Sequence, residues 1–325
     1  MTDLPAPNDP GRHTPLSGSS REGSPLSLNR APAPDLEPWV GRVMVAMTQA
    51  DPETVASGHL CNDASYLRTA MDAHWDVETD AGQVETVNRT FLTGQHGKSM
   101  RLVFRGPIRV VGVMLRPGAM RALWKVEEES LFQRLVPLAD LGLDEATPNA
   151  LYHPDIAPED WLEKVEQYLR AHIALVDAKP PSAISQAFEV QAFADPNRPI
   201  AEFCEEAGIG LRNLQRLIRR DFGLSPKRVM RRARVLDLAS RLCGVADEEE
   251  IEILLRFFDQ SHQIREFHDF FGMTPHAFCA NRHGLLALSL EIRQARRLEL
   301  LHRIAPGAIR PWMQQPFVPA IAVNG

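Results

Sequence analysis

Cysteine is scarce and scattered. Cys61, Cys204, Cys243 and Cys279 are the four in 325 residues, and no two form a C-x-x-C pair. A reducing compartment is the natural setting for such usage. No uninterrupted apolar run approaches the roughly 18 residues needed to cross a bilayer, which argues against an integral membrane protein. The opening MTDLPAPNDPGRH lacks the basic and then apolar segments of a secretory signal, so the cytoplasm is the expected location. Walker loops, G-x-S-x-G elbows and H-E-x-x-H helices are also missing. His59, His74 and His96 are too widely spaced to read as a compact cupin metal cluster. Cys61 lacks the surroundings of a reactive thiol and reads as a core residue. No enzymatic activity, cofactor or metal is expected.

A basic excess is missing as well: 36 Lys and Arg stand against 42 Asp and Glu, a formal charge of -6. The distribution says more than the total. Between Leu211 and Arg234 nine basic residues face one acid, a local charge of +8, leaving -14 on the remainder. A concentrated basic stripe on an acidic protein points to phosphate contact.

Length and 44 % hydrophobic content suit a packed protein of two domains. Residues 1–34, rich in Pro, Gly, Ser and Asn, are expected to form a disordered arm. Residues 35–158 read as a β-rich sensory or dimerisation domain, with strands at 84–92, 100–105 and 108–115. Helices are expected at 119–124 and 127–136, and Trp39, Val40, Val43, Met44 and Met47 have helix-like spacing. Residues 159–182 supply an amphipathic helix and a linker. Trp161, Leu162, Val165, Leu169 and Ile173 share one side of this helix, which makes it a candidate dimer element. Residues 183–284 read as all-helical, and 285–325 as a further helix and a Pro-rich tail. The fold class is α+β.

The clearest local unit is IAEFCEEAGIGLRNLQRLIRRDF at 200–222. Ile200, Phe203, Cys204 and Ala207 line one short helix, and Gly208-Ile209-Gly210 makes a turn. Leu211, Leu214, Leu217 and Ile218 line the next helix, completing a helix-turn-helix pattern. Arg212, Gln215 and Arg216 then share an outward ridge. Arg and Gln are the residues that pair with guanine and adenine edges. Arg219 and Arg220, a turn later, suit backbone phosphates, as do Lys227 and Arg231 beyond the Ser225-Pro226 helix start. Arg228, Arg232 and Arg234 extend the positive surface, while Val229, Ala233, Leu236, Leu238 and Leu242 supply core contacts.

Segment 183–283 resembles the DNA-binding domain of AraC-type transcriptional regulators, which carries two helix-turn-helix units joined by a long helix. The first unit matches at Gly208, Gly210, Arg212, Leu214, Arg216, Ile218 and Gly223-Leu224-Ser225-Pro226. The linker helix matches RRARVLDLASRL at 231–242. The second unit matches at Phe257, Phe258, Asp259, Gln260, Ser261, His262, Ile264, Arg265, Phe267 and Gly272-Met273-Thr274-Pro275. Segment 91–140, with Arg116-Pro117-Gly118-Ala119 after a pair of strands, resembles the cupin-like sensory domain found before some of these units.

The resemblance implies double-stranded DNA as partner and a bacterial, nucleoid-associated regulator. It further implies a small-molecule or protein effector at the N-terminal domain, a homodimer, and RNA polymerase contact if the protein activates. Gln260, Ser261, Ile264 and Arg265 match its base-facing positions in the second unit, of which Gln260 and Arg265 are the expected base contacts. There Arg256 replaces the family's turn glycine, and eight acids face three arginines over 247–283. The first unit is therefore expected to dominate DNA affinity. A degenerate regulator acting through a protein partner is the alternative.

Overall fold

The computed structural model describes residues 14–15, 26–49, 51–80, 82–246, 260–280 and 284–303. Nine strands make one antiparallel sheet: β1 Thr14–Pro15, β2 Leu26–Arg30, β3 Val40–Gln49, β4 Val55–Leu60, β5 Ser65–Thr79, β6 Gly82–Thr93, β7 Met100–Arg105, β8 Arg109–Leu115 and β9 Leu135–Pro137. The main path runs β1-β3-β8-β5-β6-β9, with β2 on β3, β7 on β5 and β4 on β7. The long β5 organises the bend. Its first half pairs with β8 and its second half with β7, and the register shifts between Ala70 and His74. Asp72 has φ 46° at this break, and its N–H donates to Asn88 Oδ1 at 2.7 Å. A bulge of this kind bends and twists a strand, and here it curls the sheet into a half-barrel.

Both sides of the sheet are covered. Val43, Val45 and Met47 of β3 face the helix α3 (Pro158–Leu175) through Trp161, Leu162, Val165 and Leu169. Ala46 of the same strand faces inward among Trp75, Phe91, Phe104 and Ile108. A strand buried on both faces reads as a continuous apolar run. The helix-like spacing of Trp39 to Met47 therefore belongs to a strand, correcting the expected helix. The expected helix at 127–136 also fails: a 3-10 turn at Glu128–Leu131 leads into β9, and Gln133 takes φ 58°, which no α-helix accommodates.

The arm expected to be disordered through residue 34 contributes β2. Asn29 is buried and accepts from Arg42 Nε at 2.7 Å, and Arg30 pairs with Glu159 and Glu166 at 2.9 and 3.0 Å. Ladder bonds and ion pairs hold this segment without the apolar burial that composition measures. The strands at 84–92, 100–105 and 108–115 and the short α1 (Ala119–Trp124) stand where the sequence placed them. The side of α3 offered for dimerisation is occupied by its own sheet; only Leu175, 82 % exposed, is a large apolar residue left in the open on it.

After α2 (Ala146–Asn149) and α3 the chain is helical: α4 Ala183–Ala194, α5 Ile200–Glu206, α6 Leu211–Phe222, α7 Pro226–Leu242, α8 Gln260–Phe271, α9 Pro275–Ala280 and α10 Gly284–Leu300. Phe188, Phe203, Leu214, Ile218, Phe222, Val229 and Ala233 form one core; Leu236, Ala239, Phe267, Phe271, Phe278 and Leu290 form another. The helix α7 thus serves both cores, as a linker helix should. Cys61, from the sheet, packs in the second core, where burial raises its thiol pKa. It is a core residue, as expected.

The two regions are bolted together by buried arginines. Arg232 of α7 donates to the carbonyls of His96 and Asp63, at 3.1 and 3.0 Å, and to Gln95 Oε1 at 2.8 Å. Arg293 of α10 bridges Asp63 at 2.7 Å and Asp237 at 2.6 Å, while Arg42 pairs with Glu299 at 2.5 Å. Pairing is what makes a buried guanidinium tolerable. The further helix expected from residue 285 is α10, and it lies against both regions.

Candidate nucleic-acid interface

The helix α6 owes its orientation to Leu214, Ile218 and Phe222, all buried at one-turn spacing. Gly208 turns the chain at φ 60°, and Gly223 ends the helix at φ 66°, a left-handed position that favours glycine. The opposite side presents Arg212, Asn213, Gln215 and Arg216, all exposed. Arg216 Nη2 donates to Asn213 Oδ1 at 3.4 Å, a weak bond that leaves the guanidinium available. The ridge read from the sequence is therefore present. Leu211 departs from its expected inward position: it opens the helix 51 % exposed.

The expected phosphate contacts divide. Lys227 is exposed at the start of α7, after Ser225, which occupies the cap position without a side-chain bond. Arg219 reaches across to the β-rich region and holds Glu129 at 2.6 Å. Arg220 grips its neighbour Asp221 through both nitrogens, at 2.6 and 2.8 Å, and buried Asp221 also accepts from Ser185 Oγ at 2.6 Å. Arg231 is half-buried and bridges Glu266 at 3.1 Å and Asp269. Arg234 closes on the same Glu266 at 3.0 Å. Arg232 leaves the positive surface altogether. Its neighbours at one-turn spacing, Val229, Val235 and Leu236, are buried, and that spacing was the signal that it points inward.

In the second unit Ser261, Ile264, Arg265 and His268 lie exposed on α8, above buried Phe267, Phe270 and Phe271. Gln260 is the first residue of that helix. Glu266 and Asp269 are neutralised by Arg231 and Arg234 of the linker helix, so these two acids do not oppose phosphate as their sequence suggested. Arg256, Phe257, Phe258 and Asp259, the acids at 247–252, and Arg282 lie outside the described residues, as does the Pro-rich segment at 306–325.

Beneath the first unit the two regions approach closely. Gly223 packs on the Glu128 carbonyl so tightly that a Cβ there would lie 3.2 Å from its oxygen. The Glu128 carboxyl is fully buried and accepts from Ser65 Oγ at 2.5 Å. Burial, with Asp221 nearby, pushes its pKa up to about 8. Beside it, a crevice of about 840 Å³ separates His59, Lys98 and Arg101 of the sheet side from Arg228, Arg231 and Asp269 of the helical side.

The histidines weighed as metal ligands occupy separate places. His59 contacts Ser99 at 3.2 Å. His96 is buried, within 3.2 Å of the Leu60 carbonyl, and burial drives its pKa down to about 3. His74 meets Glu85 at 2.7 Å and Asp76 at 3.7 Å, a grouping the sequence did not reveal because it forms across β5 and β6. Asp76 is already paired with Arg105 at 3.2 Å. Trp75 and Phe104 line a cavity of about 40 Å³, whereas Trp124 is packed in the core beside α3.

Comparison with known proteins agrees with this arrangement. Residues 203–281 match the family described as "Helix-turn-helix domain", and residues 29–137 match "Domain of unknown function (DUF6597)". Among curated proteins there is no significant sequence match. Among solved structures, ToxT from Vibrio cholerae is similar at 11 % identity and TM-score 0.42, over 73 % of this chain and 97 % of that one. ToxT bound to an unsaturated fatty acid aligns at 10 % identity and TM-score 0.39, over 73 % and 94 %. The AraC-like transcriptional activator CuxR aligns at 16 % identity and TM-score 0.28, over 60 % and 75 %. The chain is thus an antiparallel half-barrel region followed by a helical region that carries a helix-turn-helix domain. No helix among the described residues is long and apolar enough to cross a membrane.

Proposed function

We propose that the protein binds operator DNA sequence-specifically, reading the major groove mainly through α6. The observation that carries this reading is the shared exposure of Arg212, Gln215 and Arg216 on a helix whose other side is locked by Leu214, Ile218 and Phe222. Arg216 and Arg212 suit guanine, and Gln215 suits adenine. Gln260 and Arg265 add a second, weaker contact from α8. Lys227 holds backbone phosphate directly. Arg219 does so by exchanging Glu129 for phosphate, so DNA and the β-rich region compete for it. Arg220 and Arg231 support their neighbours first and reach phosphate only as a consequence.

On this reading the β-rich region is the effector or dimerisation element of a nucleoid-associated, cytoplasmic regulator with no catalytic step. The crevice at Lys98 and Arg228 gives a small molecule room to touch both regions. A homodimer, and RNA polymerase contact if the protein activates, complete the proposal.

The test is selection of duplexes from random DNA by the full-length protein at two salt concentrations. Full length is required because Cys61 and Arg232 tie the two regions into shared cores. Enrichment of one sequence, lost in an Arg212/Gln215/Arg216 triple alanine variant, is the expected result. No enrichment, with no binding even at low salt, would overturn the reading in favour of a protein partner.

A further inference from the structure

Four large hydrophobic side chains among the described residues are exposed: Val87, Leu175, Leu211 and Ile264. Two of the four stand on α6 and α8, the helices to which the proposed function gives the reading of DNA. An aliphatic side chain in water needs no explanation singly. One on each of two reading helices, beside the polar readers, does.

The two helices can be placed in register without reference to any other protein. Each is followed by a left-handed glycine, Gly223 at φ 66° and Gly272 at φ 69°. Aligning those glycines pairs Leu211 with Gln260, Gln215 with Ile264, and Arg216 with Arg265. The first and fifth positions lie on one helical ridge, one turn apart. In α6 that ridge carries an aliphatic residue and then glutamine; in α8 it carries glutamine and then an aliphatic residue. Arginine follows at the sixth position in both. Leu211 is 51 % exposed and Ile264 39 % exposed, whereas Leu214 and Phe267, which face the cores, are fully buried.

The chemistry of an A·T pair offers these residues two partners in the major groove. Glutamine pairs with the adenine N6 and N7, and the thymine methyl accepts apolar contact. We propose that Leu211 and Ile264 are specificity-determining residues that pack on thymine methyl groups, and that the two helices carry one reading set with its aliphatic and glutamine positions exchanged. The inference rests on the proposed DNA-reading role of α6 and α8. Its consequence for the operator is specific: both half-sites keep two A·T pairs beside a G·C pair, but the order of adenine and thymine on the strand read is reversed between them.

The experiment uses the operator recovered by the selection above and the full-length protein. Each thymine is replaced in turn by deoxyuridine, which removes the methyl and keeps every hydrogen-bonding group. Burial of one methyl predicts a three- to fivefold loss of affinity at one thymine in each half-site. The loss at the first should vanish in Leu211→Ala, and the loss at the second in Ile264→Ala. Both side chains are exposed, so an unchanged melting temperature is expected and is measured alongside. A Leu211→Gln/Gln215→Leu variant, reselected on random DNA, should recover the first half-site with its adenine and thymine exchanged. Uridine tolerated at every position, or a uridine penalty that persists undiminished in the alanine variants, overturns the inference while leaving sequence-specific binding intact. Failure to recover any operator overturns the reading beneath it.

Discussion

The helices α6 and α8 end alike, each before a left-handed glycine, yet their surroundings differ. Below α6 the first core is built from residues of the helical region with Phe132 of the β-rich region packed against it, and its outward side carries exposed Arg212, Asn213, Gln215 and Arg216, with one acid, Asp221, buried beneath. The acids of α8, Glu266 and Asp269, are spent on holding Arg231 and Arg234 of α7. What looked in the sequence like an acidic unit repelling DNA is, for these two residues, the socket into which the linker helix plugs. Charge counted along a chain measures a surface only after internal pairs are removed, and here the pairs remove cations from the first unit as well as acids from the second.

The largest effect that probes this contrast should come from Arg232, the arginine that serves neither DNA nor the second unit. Arg232→Met leaves three acceptors on the β-rich region unmet and should cost about 3 kcal/mol of stability, read by urea denaturation. Next comes Arg216→Ala, which should weaken operator binding by about 1–3 kcal/mol in fluorescence anisotropy without changing affinity for random DNA. Arg265→Ala in the second unit should cost less. Equal losses from both arginines would erase the proposed asymmetry between the units.

Glu128 sharpens the comparison through pH. Its pKa is raised in the fold from the ordinary 4.5 to about 8, so the stabilising neutral form is fully present below pH 4.5 and is lost as pH rises through about 8. A Glu128→Gln variant, neutral throughout, should gain stability over the parent progressively between pH 5 and 8, and the gap should flatten above that range. A constant gap across that range would exclude titration at this carboxyl. The smallest effect belongs to Glu129→Gln. Freeing Arg219 should raise affinity for random duplex two- to threefold at low salt and steepen the logarithmic salt dependence by about one unit.

The helical region was legible because its signals are local. Gly208, Gly210, Gly223 and the Ser225-Pro226 start mark the first unit's boundaries within a few residues of one another, and one-turn apolar spacing orients α6. Leu211 broke that rule because a first-turn residue has no preceding turn to pack against. The sheet was less legible. Residues such as Arg68 and Thr69 of β5 are polar yet buried, Arg68 donating to Asn62 and Thr93 at 3.0 and 2.9 Å, so β5 shows little alternation. Thr93 and Thr90, which help make these positions acceptable, lie on β6, where no window along the chain finds them. The same holds for Arg219: its exposed helix position was readable, but Glu129 is 90 residues away.

The Arg293 bridge also orders events in time. Its partners precede it in the chain by 230 and 56 residues. During synthesis the half-barrel and the first helix-turn-helix unit leave the ribosome before α10 exists, and each has a core of its own in which to collapse. The clasp between them can close only afterwards, across a sequence separation that makes its formation slow compared with local helix packing. A nascent chain therefore passes through a stage in which the reading helix is built but its union with the half-barrel is incomplete.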